Sequence, residues 1–227
     1  MKTQKKLQID VYTDVICPWC WLGKRRLEKA LESIPSLEVD IHYLPYELNP
    51  ATPQEGIDRV KHLTAKYGGG IEKMDARIAG FGQEVGLDYH FEKIARIPNT
   101  FNAHRVIWLA GKEGVSGFAE SSATAPASPD RQKTVTEALH EAYFRDGKDI
   151  GDKKVLVEVA SEAGLDREKV EKLLNSEQGV EEVRALEEES YNLGISGVPY
   201  FVFGDETALS GAHPVETFVS ILKQLST

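Results

Sequence analysis

Leu7-Gln-Ile-Asp-Val-Tyr-Thr-Asp-Val-Ile-Cys-Pro-Trp-Cys20 is the stretch that decides the fold of this chain. Residues 7 to 13 alternate apolar and polar with the period of a half-buried strand, placing Leu7, Ile9 and Val11 on one face. Beyond Cys20, Leu27, Ala30, Leu31 and Ile34 recur at spacings of three and four, opposite Lys24, Arg25, Arg26, Glu28 and Lys29. That pattern predicts an amphipathic helix stopping before Pro35, with its charged side read as a solvated face. The two cysteines therefore fall at a strand-to-helix junction. Pro18 sits in the first turn, where its missing N–H costs nothing.

Cys17 and Cys20 are the only cysteines among 227 residues, and two placed at random would take this spacing about one time in a hundred. A bridge over two intervening residues constrains the unfolded chain little, so a structural staple is a weak explanation. A structural zinc site needs about four ligands, and His42, His62, His90, His104, His140 and His213 offer no local spacing that completes one. No metal is expected, and a redox pair is the leading reading. Unpaired N–H groups and the positive end of the helix dipole stabilise a thiolate in the first turn. Cys17 is then the nucleophile, and Cys20, one turn further in, the resolving thiol that attacks a mixed disulfide.

Leu37 to Leu44 alternates again, with Leu37, Val39, Ile41 and Tyr43 against Glu38, Asp40 and His42. Strand, helix and strand in this order make a parallel crossover unit. From about Asn49 to Gly179 the periodicity is helical, as in Thr100 to Ala110, Thr134 to Phe144 and Lys153 to Ala163. It is punctuated by Gly68-Gly69-Gly70, Pro98 and the segment Ser121 to Pro129. Strand signals vanish there and return in Tyr200 to Phe203 and Thr207 to Ser210, before a helix from about Val215 to Leu225. The class is α/β, with a helical unit inserted.

A net charge of −9 with 41% hydrophobic residues describes a folded acidic protein. It argues against a nucleic-acid binder, whose affinity comes from clustered Lys and Arg. Val15 to Leu22, the longest uncharged apolar stretch, is far short of the roughly 20 residues that cross a bilayer. Lys2, Lys5 and Lys6 are followed by Asp10 and Asp14 rather than by an apolar run with a small-residue cleavage site, so the expected location is cytoplasmic. The triple glycine lacks the Lys-Ser/Thr of a phosphate loop.

Cys17-Pro18-Trp19-Cys20 after a first strand, the long helical insertion, Gly194-Ile-Ser-Gly-Val-Pro199 leading into Tyr200 to Phe203, and Ser210-Gly-Ala-His-Pro214 together resemble the DsbA-like thioredoxin-fold oxidoreductases. The likeness is to their FrnE-like branch, related to 2-hydroxychromene-2-carboxylate isomerases and kappa-class glutathione transferases. Those relatives carry serine at the nucleophile position, so two cysteines favour the disulfide branch. The resemblance implies a thioredoxin-like domain of residues 1–48 and 180–227, an inserted all-helical domain of residues 49–179, and thiol-disulfide exchange through a mixed disulfide on Cys17. It implies a cis Pro199 opposite the cysteines, with the Val198 backbone pairing with an extended substrate.

Pro18, Trp19, Asn99 and His104 are further substrate-contact candidates. The last two come from Ile97-Pro-Asn-Thr-Phe-Asn-Ala-His-Arg, which is similar to an Asn-Thr-x-x-Ala-His stretch of the family. The plainer alternatives are helix capping for Asn99 and a satisfied buried ring for His104. Asp14 is a candidate proton relay to Cys20, with capping as its alternative, and Trp21 reads as core. The expected partners are protein or small-molecule thiols and disulfides, not nucleic acid or membrane, for a monomer or homodimer. No cofactor is expected beyond the redox-active disulfide, and glutathione is a candidate co-substrate. The alternative function is an isomerase or glutathione-dependent enzyme acting on a small molecule.

Overall fold

The computed structural model describes residues 6–112, 128–204 and 207–226, with residues 128–130 given by backbone alone. Lys2, Lys5 and most of the Ser121 to Pro129 break lie outside these residues.

Strand β1 (Leu7–Thr13) buries Ile9 and Val11 as its alternation requires. A turn closed by the Cys17 N–H donating to the Asp14 carbonyl at 3.0 Å leads into α1 (Pro18–Glu32), with Pro18 at its start. Helix α1 is the crossover that lets β2 (Val39–Pro45) pair parallel to β1, Ile9 against Ile41 and Val11 against Tyr43. The chain then runs through β3 (Ile57–Asp58), α2 (Arg59–Tyr67), α3 (Ile71–Gln83), β4 (Arg96–Ile97), α4 (Phe101–Lys112), α5 (Ser128–Phe144), α6 (Lys153–Glu162), α7 (Arg167–Leu174) and α8 (Val180–Asn192). Strands β5 (Tyr200–Phe203) and β6 (Thr207–Ser210) return it to the first sheet, and α9 (Val215–Leu225) follows. The sheet order is β2-β1-β5-β6, with β5 antiparallel to both its neighbours, so β1 is bonded on both sides.

The sheet is α/β as expected, but two readings need correction. The stretch read as purely helical also holds the ribbon β3–β4, Ile57 against Ile97 and Asp58 against Arg96. Two residues per strand are too few to leave an alternation. The charged side of α1 is not solvated: Lys24 and Arg26 are buried. Lys24 Nζ donates to Glu137 on α5 at 2.5 Å and Arg26 to the Ala212 carbonyl at 2.7 Å, because α5 and the loop before α9 pack over that side. The triple glycine is a joint. Gly68 ends α2 at φ 79° and Gly70 opens α3 at φ 90°, in the left-handed region that glycine enters without penalty.

Two contacts set the position of the cysteines against the far end of the chain. A Cβ on Gly23 of α1 would stand 3.0 Å from Pro199 Cγ and 3.1 Å from Phe201 Cζ, so the bare backbone lets the helix approach the start of β5. From below, Phe218 of α9 packs edge-on to Phe201 with ring centres 5.0 Å apart. Trp21, one residue past the pair, is 2% exposed, stacked against Phe144 and His140 and edge-on to Tyr89.

Candidate active site

Cys17 is the residue that opens α1, with φ −89° and ψ 113°, and its side chain makes no capping bond. Its sulfur therefore lies at the positive end of the helix. Both thiols are free and buried. Cys17 Sγ donates to the Val198 carbonyl at 3.6 Å, and Cys20 Sγ accepts from the Asp14 N–H at 3.5 Å. The Val198–Pro199 peptide bond is cis. The nucleophile candidate thus faces the backbone ahead of β5, and the resolving candidate faces the end of β1. Burial, and next the hydrogen bond and charge of Cys17, push the Cys20 thiol well up, against smaller pulls from the Asp14 backbone and the Thr13 side chain. Cys20 is a proton holder that releases its proton only when something nearby accepts it.

Asp14 is fully buried. Its carboxylate does not cap α1; it accepts from the Leu48 N–H at 2.8 Å and more weakly from the Ile16 N–H at 3.4 Å. His104 Nε2 stands 3.6 Å from Asp14 Oδ1, an attraction of charge across a gap longer than a hydrogen bond. Burial works against a charged His104, yet Asp14, with Glu187 and Glu47 behind it, holds its pKa above the ordinary value. His104 is 2% exposed and Asn99 8%. Asn99 spends its amide on the Thr52 carbonyl and its oxygen on the Phe101 N–H ahead of α4. Both are engaged within the protein rather than presented at the surface.

The outward-facing group is Trp19, 36% exposed, with its ring 6.1 Å from that of Phe81. The Pro18 carbonyl accepts from Tyr89 Oη at 2.7 Å. The Tyr89 hydroxyl is pushed far up, first by burial and then by the charges of Cys17 and Cys20, so it stays a donor. On the other side of α1, Glu137 of α5 accepts from Trp21 Nε1 at 3.0 Å, from Lys24 and from Arg25. Burial alone would raise this carboxyl, but Lys24, Trp21 and Arg25 bring it down to about 2.

Sequence reasoning names Cys17, Cys20, Asp14, Val198 and Pro199, and the structure brings these five together. It misses Glu137, His140, Glu47, Arg184 and Glu187. Glu187 stands in the run Glu187-Glu188-Glu189, which reads as solvated, and no local pattern marks Glu47 as interior. Among the described residues no helix is long and apolar enough to cross a membrane, and no cluster of His, Cys, Asp and Glu could hold a metal.

A model of the DSBA-like thioredoxin domain matches residues 8–223. The chain is 32% identical to a probable DsbA oxidoreductase from Streptomyces coelicolor, whose crystal structure superposes with a TM-score of 0.83 over 96% of this chain and 89% of that one. It is 27% identical over 214 residues to the uncharacterized protein YwbO of Bacillus subtilis, covering 93% of this chain and 94% of the relative. The fold is shared with the cytosolic disulfide reductase DsbM of Pseudomonas aeruginosa, solved with glutathione. The two are 17% identical, with a TM-score of 0.61 over 97% of this chain and all of that one.

Proposed function

We propose a catalytic cycle from one premise: the chain belongs to the DSBA-like thioredoxin family and is a thiol oxidoreductase of that kind. The observation that carries the cycle is the free dithiol at the head of α1, with Cys17 Sγ on the Val198 carbonyl and Cys20 Sγ on the Asp14 N–H. In the reducing direction the Cys17 thiolate attacks one sulfur of a substrate disulfide. That S–S bond breaks and one substrate thiolate leaves. Cys20 then gives up its proton and attacks Cys17 Sγ, which breaks the mixed disulfide and releases the second substrate thiolate. Two electrons pass to the substrate, and Cys17–Cys20 is left as the disulfide. The reverse sequence oxidises a substrate dithiol.

Pro18, Trp19 and the Val198–Pro199 backbone receive the substrate, and the exposed Trp19 offers it an apolar face. Asp14 accepts the Cys20 proton. His104 and Asn99 act from within, His104 by facing the Asp14 carboxylate across 3.6 Å and Asn99 by fixing the chain at the head of α4. The residues group into a thioredoxin-like unit, 1–48 and 180–227, and an inserted unit, 49–179. The active site needs no cofactor beyond its own cysteines. Substrates are protein or small-molecule disulfides and thiols, and glutathione resets the pair in the cytoplasm; the glutathione-bound cytosolic DsbM supports both.

The test is equilibration of the protein in glutathione redox buffers, with Cys20→Ser and Cys17→Ser beside it. The expected result is a reversible Cys17–Cys20 disulfide in the unaltered chain. Cys20→Ser accumulates a mixed disulfide on Cys17 by mass spectrometry, and Cys17→Ser loses turnover by at least a hundredfold, on the order of a missing nucleophile. No disulfide at any poise would sink the exchange cycle and leave the small-molecule isomerase or glutathione-dependent reading.

A further inference from the structure

Trp19, Gly23 and Arg26, at spacings of four and three, form one stripe of α1 that starts between the cysteines. The stripe meets the far end of the chain, where Gly23 approaches Pro199 and Ala212 and Arg26 Nη1 donates to the Ala212 carbonyl at 2.7 Å. Helix α3 stands alongside. Its half-buried Phe81 lies 6.1 Å from the Trp19 ring, centre to centre, and the Arg26 guanidinium lies over Phe81 at 5.6 Å.

Arg77, one turn before Phe81 on α3, is exposed, and its guanidinium lies over the same ring, also 5.6 Å from the centre. The two arginines differ in what else they touch. Arg26 is committed, to the Ala212 carbonyl through Nη1 and towards Glu84 through Nη2 at 3.8 Å. Arg77 has the ring alone: among the described residues no carboxylate or carbonyl accepts a hydrogen bond from it. Its helical neighbours at three and four positions, Lys73, Met74, Gly80 and Phe81, include no acid. Asp75 of the same helix is taken by Arg59 at 2.6 Å.

A guanidinium laid over an aromatic face is held in place while its edge donors stay open, and those donors form a fork that fits the two oxygens of a carboxylate. Lys24 and Arg25, closer to the cysteines in sequence, are committed to Glu28 and Glu137. In a chain of net charge −9, Arg77 is left to meet a negative charge on the substrate. We propose that Arg77, held over Phe81 beside Trp19, is a specificity-determining residue of the thiol exchange, selecting disulfides that carry a carboxylate a few residues from the reacting cysteine.

This rests on the exchange cycle above and names its substrate class. The reach follows from the geometry: steps of 6.1 and 5.6 Å separate the Trp19 ring from the Arg77 guanidinium. An extended peptide advances about 3.3 to 3.6 Å per residue, so the acid stands about two to four positions from the substrate cysteine. The contact is made equally in the bound disulfide and in the transition state of thiolate attack. It therefore lowers the half-saturating concentration and leaves the maximal rate alone.

The experiment is single-turnover reduction of short peptide disulfides by the dithiol form of the full chain, followed as release of peptide thiol. Three peptides, acetylated and amidated so that their termini carry no charge, differ only in having Glu, Gln or Lys three positions from the cysteine. Dithiothreitol reduces the same peptides as the reference for their intrinsic reactivity. Half-saturation should come at a concentration about two- to fivefold lower for Glu than for Gln, the size of an exposed ion pair. It should come higher again for Lys, with equal maximal rates once the reference is applied. Salt raised from about 0.05 to 0.5 M should shrink the gap. Arg77→Gln should close it and Arg77→Lys should keep part of it, whereas a folding defect would slow all three peptides together. Equal half-saturation for the Glu and Gln peptides with the unaltered chain, a result that needs no variant, overturns the proposal and leaves the exchange cycle standing. An unchanged ratio in folded Arg77→Gln does the same. Failure of the dithiol to reduce any of the three peptides overturns both.

Discussion

At the scale of single residues, the interior around the cysteines holds ionisable groups whose burial sets their behaviour. His140 of α5 is fully buried against Trp21 and Phe144, and neither ring nitrogen has a hydrogen-bond partner among the described residues. Burial first, with Lys24 adding to it and Glu137 and Asp14 opposing, lowers its pKa from 6.5 to about 4. The folded protein therefore holds this ring neutral while the unfolded chain protonates it. The stabilisation is complete above pH 6.5 and drains away as pH falls toward 4, on the order of 3 kcal/mol at most. His140→Phe, which keeps the stacked ring and removes the titration, should flatten the decline of thermal midpoint with acid in that window. Parallel declines for the two proteins would refute this. The redox pair was legible because two cysteines at that spacing are rare and lie between a period-two and a period-3.6 pattern. His140 was not, since a lone histidine in a helix carries no sign of which ring it will stack on.

At the scale of elements, α1 is held to α5 by one carboxylate. Glu137 takes Trp21, Lys24 and Arg25, three side chains that share one face of the helix at spacings of three and four, and Lys24 is 2% exposed, with Glu28 as its other partner at 2.9 Å. Removing one side of a buried ion pair leaves an uncompensated charge, which costs about 3 to 5 kcal/mol. With Glu28 still in place, Glu137→Gln should lose about 3 kcal/mol by urea denaturation at neutral pH, and a loss under 1 kcal/mol would sink the clamp. Because the Glu137 pKa is depressed to about 2, its contribution is present above about pH 4.5 and lost as pH falls through 2, below the His140 window. Strand β1, helix α1 and helix α9 were legible from their own periodicity. The burial of the α1 charges was not, because it depends on a partner more than a hundred residues away, and neither was the two-residue ribbon β3–β4.

At the scale of the whole molecule, the sheet and the inserted helices share one core. Ile9, Val11 and Phe201 from the strands, Trp21 from α1, and Ile107, Leu139, Leu156 and Leu173 from α4 to α7 belong to a single contiguous apolar cluster. Tryptophan fluorescence and far-UV circular dichroism should therefore lose their native signals in one coincident transition. Two separated midpoints would show the insertion to be an independent folding unit. The order of elements was legible because helix and strand periods differ, whereas the merging of their cores is a three-dimensional fact with no linear signature. The sheet order also places in time what it joins in space. Cys17 and the Val198 carbonyl that its thiol meets are 181 positions apart in the chain, so at about 5 to 20 residues per second a ribosome finishes the second roughly 10 to 35 s after the first. Through that interval the cysteines belong to a nascent chain without β5, and the site acquires its chemistry only once the segment from Val198 to Phe203 has been made and paired.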